Sequence, residues 1–323
     1  MRRLVRIAYN TDRIWPHSFH AATEDTAVEN HFTRRAFLKT SAMAAPAAAL
    51  VLPSSATAAP DTPSKTPPLK LGLMTYTLGA KWDVDTVIAN LKQAKWEHAE
   101  LRTTHAHGVE VGLSKQQRAD VRAKFEDAGL ALSLASGFSY HSEDPAVVRK
   151  NIEGTKEYTM LARDIGAKGI RVFPNAVPAD DPEAEERTLR RIAKAAAEAA
   201  TFAADYGVEI RLANHGRGTN RVTRIKRVFD YADCPQLRMN WNCDGSDIEE
   251  PGFEANFNSV KDRIGNIHLH DLTNEKYPYR KLFAMLRESG YQGYCDAEVG
   301  PSLEPVKFMQ YYRAVFLALQ NEI

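Results

Sequence analysis

The sequence predicts an α/β protein built as a single closed (β/α)8 barrel, and three observations predict it. Eight strand-like apolar runs alternate with amphipathic helical stretches from Leu69 onward, and strands separated by helices must pair in parallel, because a parallel neighbour is reached only through a crossover. The stretch 70–323 holds 254 residues, the usual size of such a barrel. An open doubly wound sheet is the alternative. The turn after the first strand, Thr75-Tyr76-Thr77-Leu78-Gly79, argues against it, with a single glycine where a dinucleotide-binding loop is glycine-rich.

Taken in order, the strands are expected at Lys70–Thr75, His98–Thr103, Leu130–Ser136, Gly169–Pro174, Val208–Asn214, Leu237–Cys243, Asn266–Leu272 and Gly293–Val299. The helices between them carry start and stop signals. Val84–Lys95 comes first; Lys115–Ala128 follows a Ser114 cap and precedes Gly129; Pro145–Ile165 precedes Gly166; Pro182–Asp205 precedes Gly207. Later helices are expected over Arg221–Tyr231, Phe253–Arg263, Tyr279–Ser289 and Glu304–Asn321. The three cysteines, Cys234, Cys243 and Cys295, are odd in number and share no metal-type spacing, so they read as small buried hydrophobes.

Ahead of the barrel the composition changes. No residue from Thr40 to Pro60 is charged, yet the apolar part, Ala42 to Leu52, is too short and too interrupted by Pro46 to span a membrane. It fits the apolar core of a signal peptide. Immediately upstream, Thr33-Arg34-Arg35-Ala36-Phe37-Leu38-Lys39 resembles the twin-arginine export motif, and Ala56-Thr57-Ala58 offers small residues for cleavage. The resemblance implies export through the twin-arginine translocase to the periplasm or beyond, with Arg34 and Arg35 as the signal. Residues 1–58 are then a leader with an extended basic region, 59–69 a proline-rich linker, and 70–323 the barrel.

Charge narrows the function. The whole chain has 42 Lys+Arg against 41 Asp+Glu, but the leader carries an excess of base, and the mature remainder has a net charge of −2. Such a surface has no basic excess with which to hold a phosphate backbone, which argues against nucleic acid as partner.

In a barrel, chemistry sits where strands end on the C-terminal face, and residues two apart on a strand share a side. One parity is polar throughout the later strands: Arg211, Ala213 and His215; Asn240, Asn242 and Asp244; His268 and His270; Asp296 and Glu298. The second strand adds Glu100, Arg102 and Thr104, its loop adds His105 and His107, and the fourth adds Arg171 and Asn175. The opposite parity, Leu212, Met239, Trp241, Ile267, Leu269, Cys295 and Ala297, is apolar, as a helix-covered face requires. Polar groups in such number are costly inside a protein unless they meet each other, water, a metal or a ligand, so the lumen mouth is expected to be a binding site.

With Ile267-His268-Leu269-His270-Asp271 on the seventh strand and Asp296-Ala297-Glu298-Val299 on the eighth, the chain resembles the xylose-isomerase-like TIM barrel family over Leu69 to Ile323. That family holds sugar isomerases and epimerases, related dehydratases and barrel-type endonucleases. Glu100-Leu101-Arg102-Thr103-Thr104-His105-Ala106-His107-Gly108 and Asn214-His215-Gly216-Arg217-Gly218-Thr219 resemble its branch of exported sugar phosphate isomerase/epimerase proteins.

The resemblance implies a divalent metal (Mn2+, Mg2+ or Zn2+) held by Glu, Asp, His and Glu on strands five to eight, and two glutamates that shuttle a proton beside a carbonyl. Carried over, those positions are Ala213, Asn242, His268 and Glu298. Alanine can neither ligate nor move a proton, and Asn is a neutral, weaker ligand. The expected metal set is therefore Asn242, His268 and Glu298, and the expected catalytic pair Glu298 and His268. Glu100, Arg102, His105, His107, Asn175, His215, Asp244 and His270 are expected to bind substrate. The function expected is a sugar isomerase or epimerase acting on a small-molecule carbohydrate. A lyase on an oxidised sugar and a non-catalytic carbohydrate-binding barrel are the alternatives. Related barrels often associate, so a homo-oligomer is allowed for.

Overall fold

The structure, a computed structural model, describes residues 67–321. The leader, Arg34, Arg35 and most of the linker lie outside the described residues. The chain divides into two units, Met1–Asp61 and Thr62–Ile323, and the second holds the barrel.

Eight strands form a closed parallel barrel in chain order: β1 Lys70–Met74, β2 His98–Arg102, β3 Ala131–Ser139, β4 Gly169–Phe173, β5 Glu209–Ala213, β6 Leu237–Asn242, β7 Ile264–Leu269 and β8 Tyr294–Ala297. Between and after them come α1 Val84–Ala94, α2 Lys115–Asp127, α3 Pro145–Ile165, α4 Pro182–Ala204, α5 Val222–Ala232, α6 Phe253–Val260, α7 Tyr279–Glu288 and α8 Pro305–Leu319. The helix starts follow from their caps. The Asp83 side chain accepts from Thr86 N, Ser114 and Gln117 form a capping box, and Asp144 and Asp181 each cap a helix that opens with proline. Closure pairs β1 with β8, Gly72 opposite Asp296 and Leu73 opposite Ala297. The backbone N–H of Leu69 donates to Gln320 Oε1 at 2.8 Å, tying the barrel's first residues to its last helix.

Among the boundaries that differ from those expected are the end of β3 and the junction of α6 with β7, and β7 and β8 also end early, at Leu269 and Ala297. β3 runs on to Ser139, past Ser136, because its ladder with β4 shifts register there and Ser136 Oγ bonds the Arg171 carbonyl across the break. The helix expected over Phe253–Arg263 ends at Val260 and tightens into a 3-10 turn, Lys261–Arg263, so β7 begins early, at Ile264.

The apolar parity faces the helices. Leu212, Met239, Trp241, Ile267, Leu269, Cys295 and Ala297 are all buried, and the Trp241 ring packs edge-on against Phe253 and Phe257 of α6. The three cysteines are free and buried. The polar parity is left to fill the lumen.

Candidate active site

The lumen is filled by one connected set of polar side chains. At its base Asp296 on β8 meets His98 on β2, Oδ1 to Nδ1 at 2.7 Å. The pair needs Gly72 between them on β1, where a Cβ would stand 2.0 Å from Asp296 Oδ1. Asn266 Nδ2 on β7 donates to Asp296 Oδ2 at 2.8 Å and to Asn240 Oδ1 on β6 at 3.2 Å. One layer higher, Glu100 Oε2 on β2 and His268 Nε2 on β7 are 2.5 Å apart. The other nitrogen of His268, Nδ1, lies 3.3 Å from Oε2 of Glu298, just beyond the end of β8. A single imidazole thus spans two carboxylates. Glu100 is fully shielded, whereas the Glu298 side chain keeps 24% of its surface at the mouth.

Charge pairing outweighs burial at this layer. Burial opposes a charge on His268, but the Glu100 carboxylate, and after it Glu298, raise it to about 9. Burial would likewise raise Glu298, yet the hydrogen bond and charge of His268, with those of His270 and Arg171, hold it down at about 2. At neutral pH His268 is therefore an imidazolium and Glu298, beside it, a carboxylate. Arg171 on β4 joins them: burial lowers its guanidinium to about 10, partly offset by Glu100 and Glu298, and it remains cationic. The guanidinium lies 3.9 Å over the Phe173 ring, and Nη1 donates to the Ser136 carbonyl at 2.9 Å.

Around the mouth the expected substrate binders are placed unequally. Arg102 at the end of β2 is half-buried, with Nη1 on Thr103 O and Oγ1. His105 in the next loop stacks on the exposed Tyr76 ring, centroids 6.0 Å apart at 16°. His215, after β5, is exposed and packs against Phe173 at 4.8 Å. Asn175 turns the loop after β4 with a φ of 76°, and its carbonyl accepts from Thr219 Oγ1. Asp244 caps the 3-10 turn after β6, Oδ1 accepting from Ser246 N at 2.8 Å and from Asn220 Nδ2 at 3.1 Å. His270 sits beside the Glu298 carbonyl, Nδ1 to O at 3.3 Å.

Two residues stand elsewhere than expected. His107 is buried with both ring nitrogens engaged by its own loop, Nε2 on Arg102 O and Nδ1 accepting from Val109 N, so it braces the loop rather than facing the mouth. Glu100 lies beneath the mouth as the partner of His268. The sequence reading gave no role to Tyr76 or Phe173, and it gave none to Asp296, Asn266, Asn240 or His98 beyond the parity some of them share. Strand parity was the signal for Asp296 and Asn240. Nothing local marks His98, whose role depends on Gly72 and Asp296 across the barrel.

The four-ligand metal set implied by the family does not fit these residues. Ala213 is buried and carries no donor. Asn242 supplies an amide in place of a carboxylate, and both nitrogens of His268 are spent on Glu100 and Glu298. A different trio does converge: Glu100, His268 and Asp296 each offer a ligand atom, all within 4.8 Å of one another. These atoms, however, are already bonded, Asp296 through both oxygens and Glu100 through Oε2.

A closed parallel barrel whose titratable groups converge at the C-terminal ends of its strands belongs to the class that keeps its site on that face. More narrowly, the chain belongs to the xylose isomerase-like TIM barrel family, whose sequence profile matches residues 88–311. No curated protein sequence matches it. Among solved structures it is similar to an L-ribulose 3-epimerase (TM-score 0.64, 17% identity, covering 79% of this chain and 95% of that one). It is also similar to a 3-keto-D-glucoside 4-epimerase from E. coli (0.61, 17%, 78% and 99%). A third is a probable 3-DHS dehydratase from Bacillus anthracis (0.60, 14%, 79% and 100%). Among the described residues no helix is long and apolar enough to cross a membrane.

Proposed function

We propose that this chain is an exported sugar-active enzyme of the isomerase or epimerase type, which moves a proton on the carbon beside a carbonyl. The observation that carries the reading is the Glu298 carboxylate, ionised, part-exposed at the mouth and set 3.3 Å from the buried His268. Glu298 takes the proton from the carbon, the C–H electron pair becomes a C=C bond as the carbonyl π pair moves onto its oxygen, and return of the proton to the neighbouring carbon, or to the opposite face, reverses that shift and completes isomerisation or epimerisation. His268, already protonated by its place between two carboxylates, acts as cation and acid rather than as a second base. Arg102, His105, Asn175, His215, Asp244 and His270 supply the polar rim that orients sugar hydroxyls, and Tyr76 supplies an exposed ring for a sugar face. Epimerase and dehydratase neighbours on the same fold support a carbohydrate-type ligand.

The test is hydrogen exchange from a panel of keto-sugars in heavy water. At least one sugar is expected to exchange, and Glu298→Gln is expected to lower that rate by about 10²- to 10⁴-fold with the fold retained. Release of water with exchange would assign the lyase chemistry. Sugar binding with no exchange from any member would overturn the enzyme reading and leave a carbohydrate-binding barrel.

A further inference from the structure

We propose that Arg171 supplies the positive charge that the family draws from a divalent metal, so that in this chain a guanidinium, without an ion, holds the oxygen on which negative charge develops. The inference rests on the proton-transfer reading above and adds to it the electrophile. Three observations carry it. First, the donor set is broken at two of four places, Ala213 and Asn242, and the histidine that should be a ligand has both nitrogens on carboxylates, at 2.5 and 3.3 Å. Second, Arg171 is 3% exposed, in a lumen where it lies close enough to Glu100 and Glu298 for their charges to act on it, yet it makes an ion pair with neither. Its Nη1 donates to Ser136 O, while Nε is shielded from water and has no protein partner. A buried guanidinium with spare donors is costly unless an anionic or strongly polar ligand completes it. Third, the guanidinium plane is held rather than free, by the Phe173 ring beneath it at 3.9 Å and by the Ser136 carbonyl. A planar fork of donors suits the two adjacent oxygens of an enediolate, and because a guanidinium stays charged it needs no ligand-bound ion to do so.

In the step, the C–H bond beside the carbonyl breaks, its proton goes to Glu298, its electron pair forms the C=C bond of the enediolate, and the carbonyl π pair moves onto the oxygen, which Arg171 stabilises as an oxyanion. No oxidant, reductant or co-reactant enters.

Oxalate, a dianion whose two linked carboxylates present adjacent oxygens along an edge, serves as probe because it requires no knowledge of the sugar. Calorimetry is run on the metal-stripped protein at fixed ionic strength. Oxalate is expected to bind in the presence of EDTA, roughly 10- to 100-fold more weakly in Arg171→Met, and with part of the loss recovered in Arg171→Lys. Titration of the wild-type protein with Mn2+ alone is expected to show no binding dependent on Glu298. The double variant Ala213→Glu, Asn242→Asp, which restores the family's donors, is expected to gain it. Oxalate binding that appears only with Mn2+, or micromolar Mn2+ binding by the wild-type protein that disappears in Glu298→Gln, would overturn the proposal. Should Arg171→Met fail to fold, the wild-type measurements with and without EDTA decide alone. Neither readout uses a sugar, so absence of exchange with every sugar would remove the enzyme reading while leaving the anion site standing.

Discussion

His268 is the residue through which the site titrates. Its folded-state value, about 9, lies above the 6.5 of an exposed imidazole, so its pairing contributes stability that is fully present below pH 6.5 and is lost as pH rises toward 9. The contribution is about 2–3 kcal/mol, discounted for coupling to the two carboxylates. Glu298 works in the other direction: held down at about 2 against an ordinary 4.5, it contributes above pH 4.5 and loses that contribution as pH falls toward 2. Stability should therefore be highest between roughly pH 4.5 and 6.5 from this layer alone. Urea unfolding at pH 6.5 and pH 9 is expected to show the loss in the wild-type protein and a flatter profile in His268→Asn; equal slopes in both would place the imidazolium elsewhere. Glu100→Gln removes the shorter of the two pairings and is expected to bring the His268 imidazole, followed by nitrogen NMR, back toward neutral below pH 9.

At the scale of elements, the mouth depends on two loops that interlock. Gly216, in the loop after β5, has a φ of +103°, and a Cβ on it would stand 1.5 Å from the carbonyl oxygen of Asn175 in the loop after β4. Thr219 Oγ1 ties the same pair, reaching Asn175 O at 2.9 Å and His215 O at 2.7 Å. Both the backbone conformation and the space exclude a side chain. Gly216→Ala is expected to cost about 2–4 kcal/mol in chemical unfolding and to displace His215 and Asn175 together. A cost below about 0.5 kcal/mol would mean that the loops are not packed as described. β6 shows how one element supports both faces: Trp241 points outward to α6, its Nε1 donating to Tyr277 Oη at 3.0 Å, while Asn240 joins the lumen side through Asn266.

For the molecule as a whole, the leader proposal has its own test. Replacing Arg34 and Arg35 with lysines is expected to retain the protein in the cytoplasm, read by fractionation and by N-terminal sequencing of the exported form for cleavage after Ala58. Export unchanged by the double substitution would remove the twin-arginine reading. The proposed export would also bear on substrate, since phosphosugars are chiefly cytoplasmic and the chain without residues 1–58, with its net charge of −2, would offer no general attraction to anions. Within the barrel a few fixed cations, Arg171 foremost, take that role locally.

Much of this was legible in residue order. Period-two alternation separated Asn240 and Glu298 from Trp241 and Ala297, and caps such as Ser114 and Asp181 marked where helices begin, because both signals are local properties of the chain. Residue order alone set the barrel and the face on which polar groups gather, and the resemblance to the family added the broken metal pattern at Ala213 and Asn242. What the remaining groups do was settled by tertiary contact. Barrel closure placed Glu100 under His268 across 168 positions of sequence, turning an expected metal ligand into an imidazolium between carboxylates, and it left Arg171 buried with donors to spare. The physical reason is that protonation state and ligand capacity depend on which charges stand within a few ångströms, and closure of the barrel sets those distances between residues far apart in the chain.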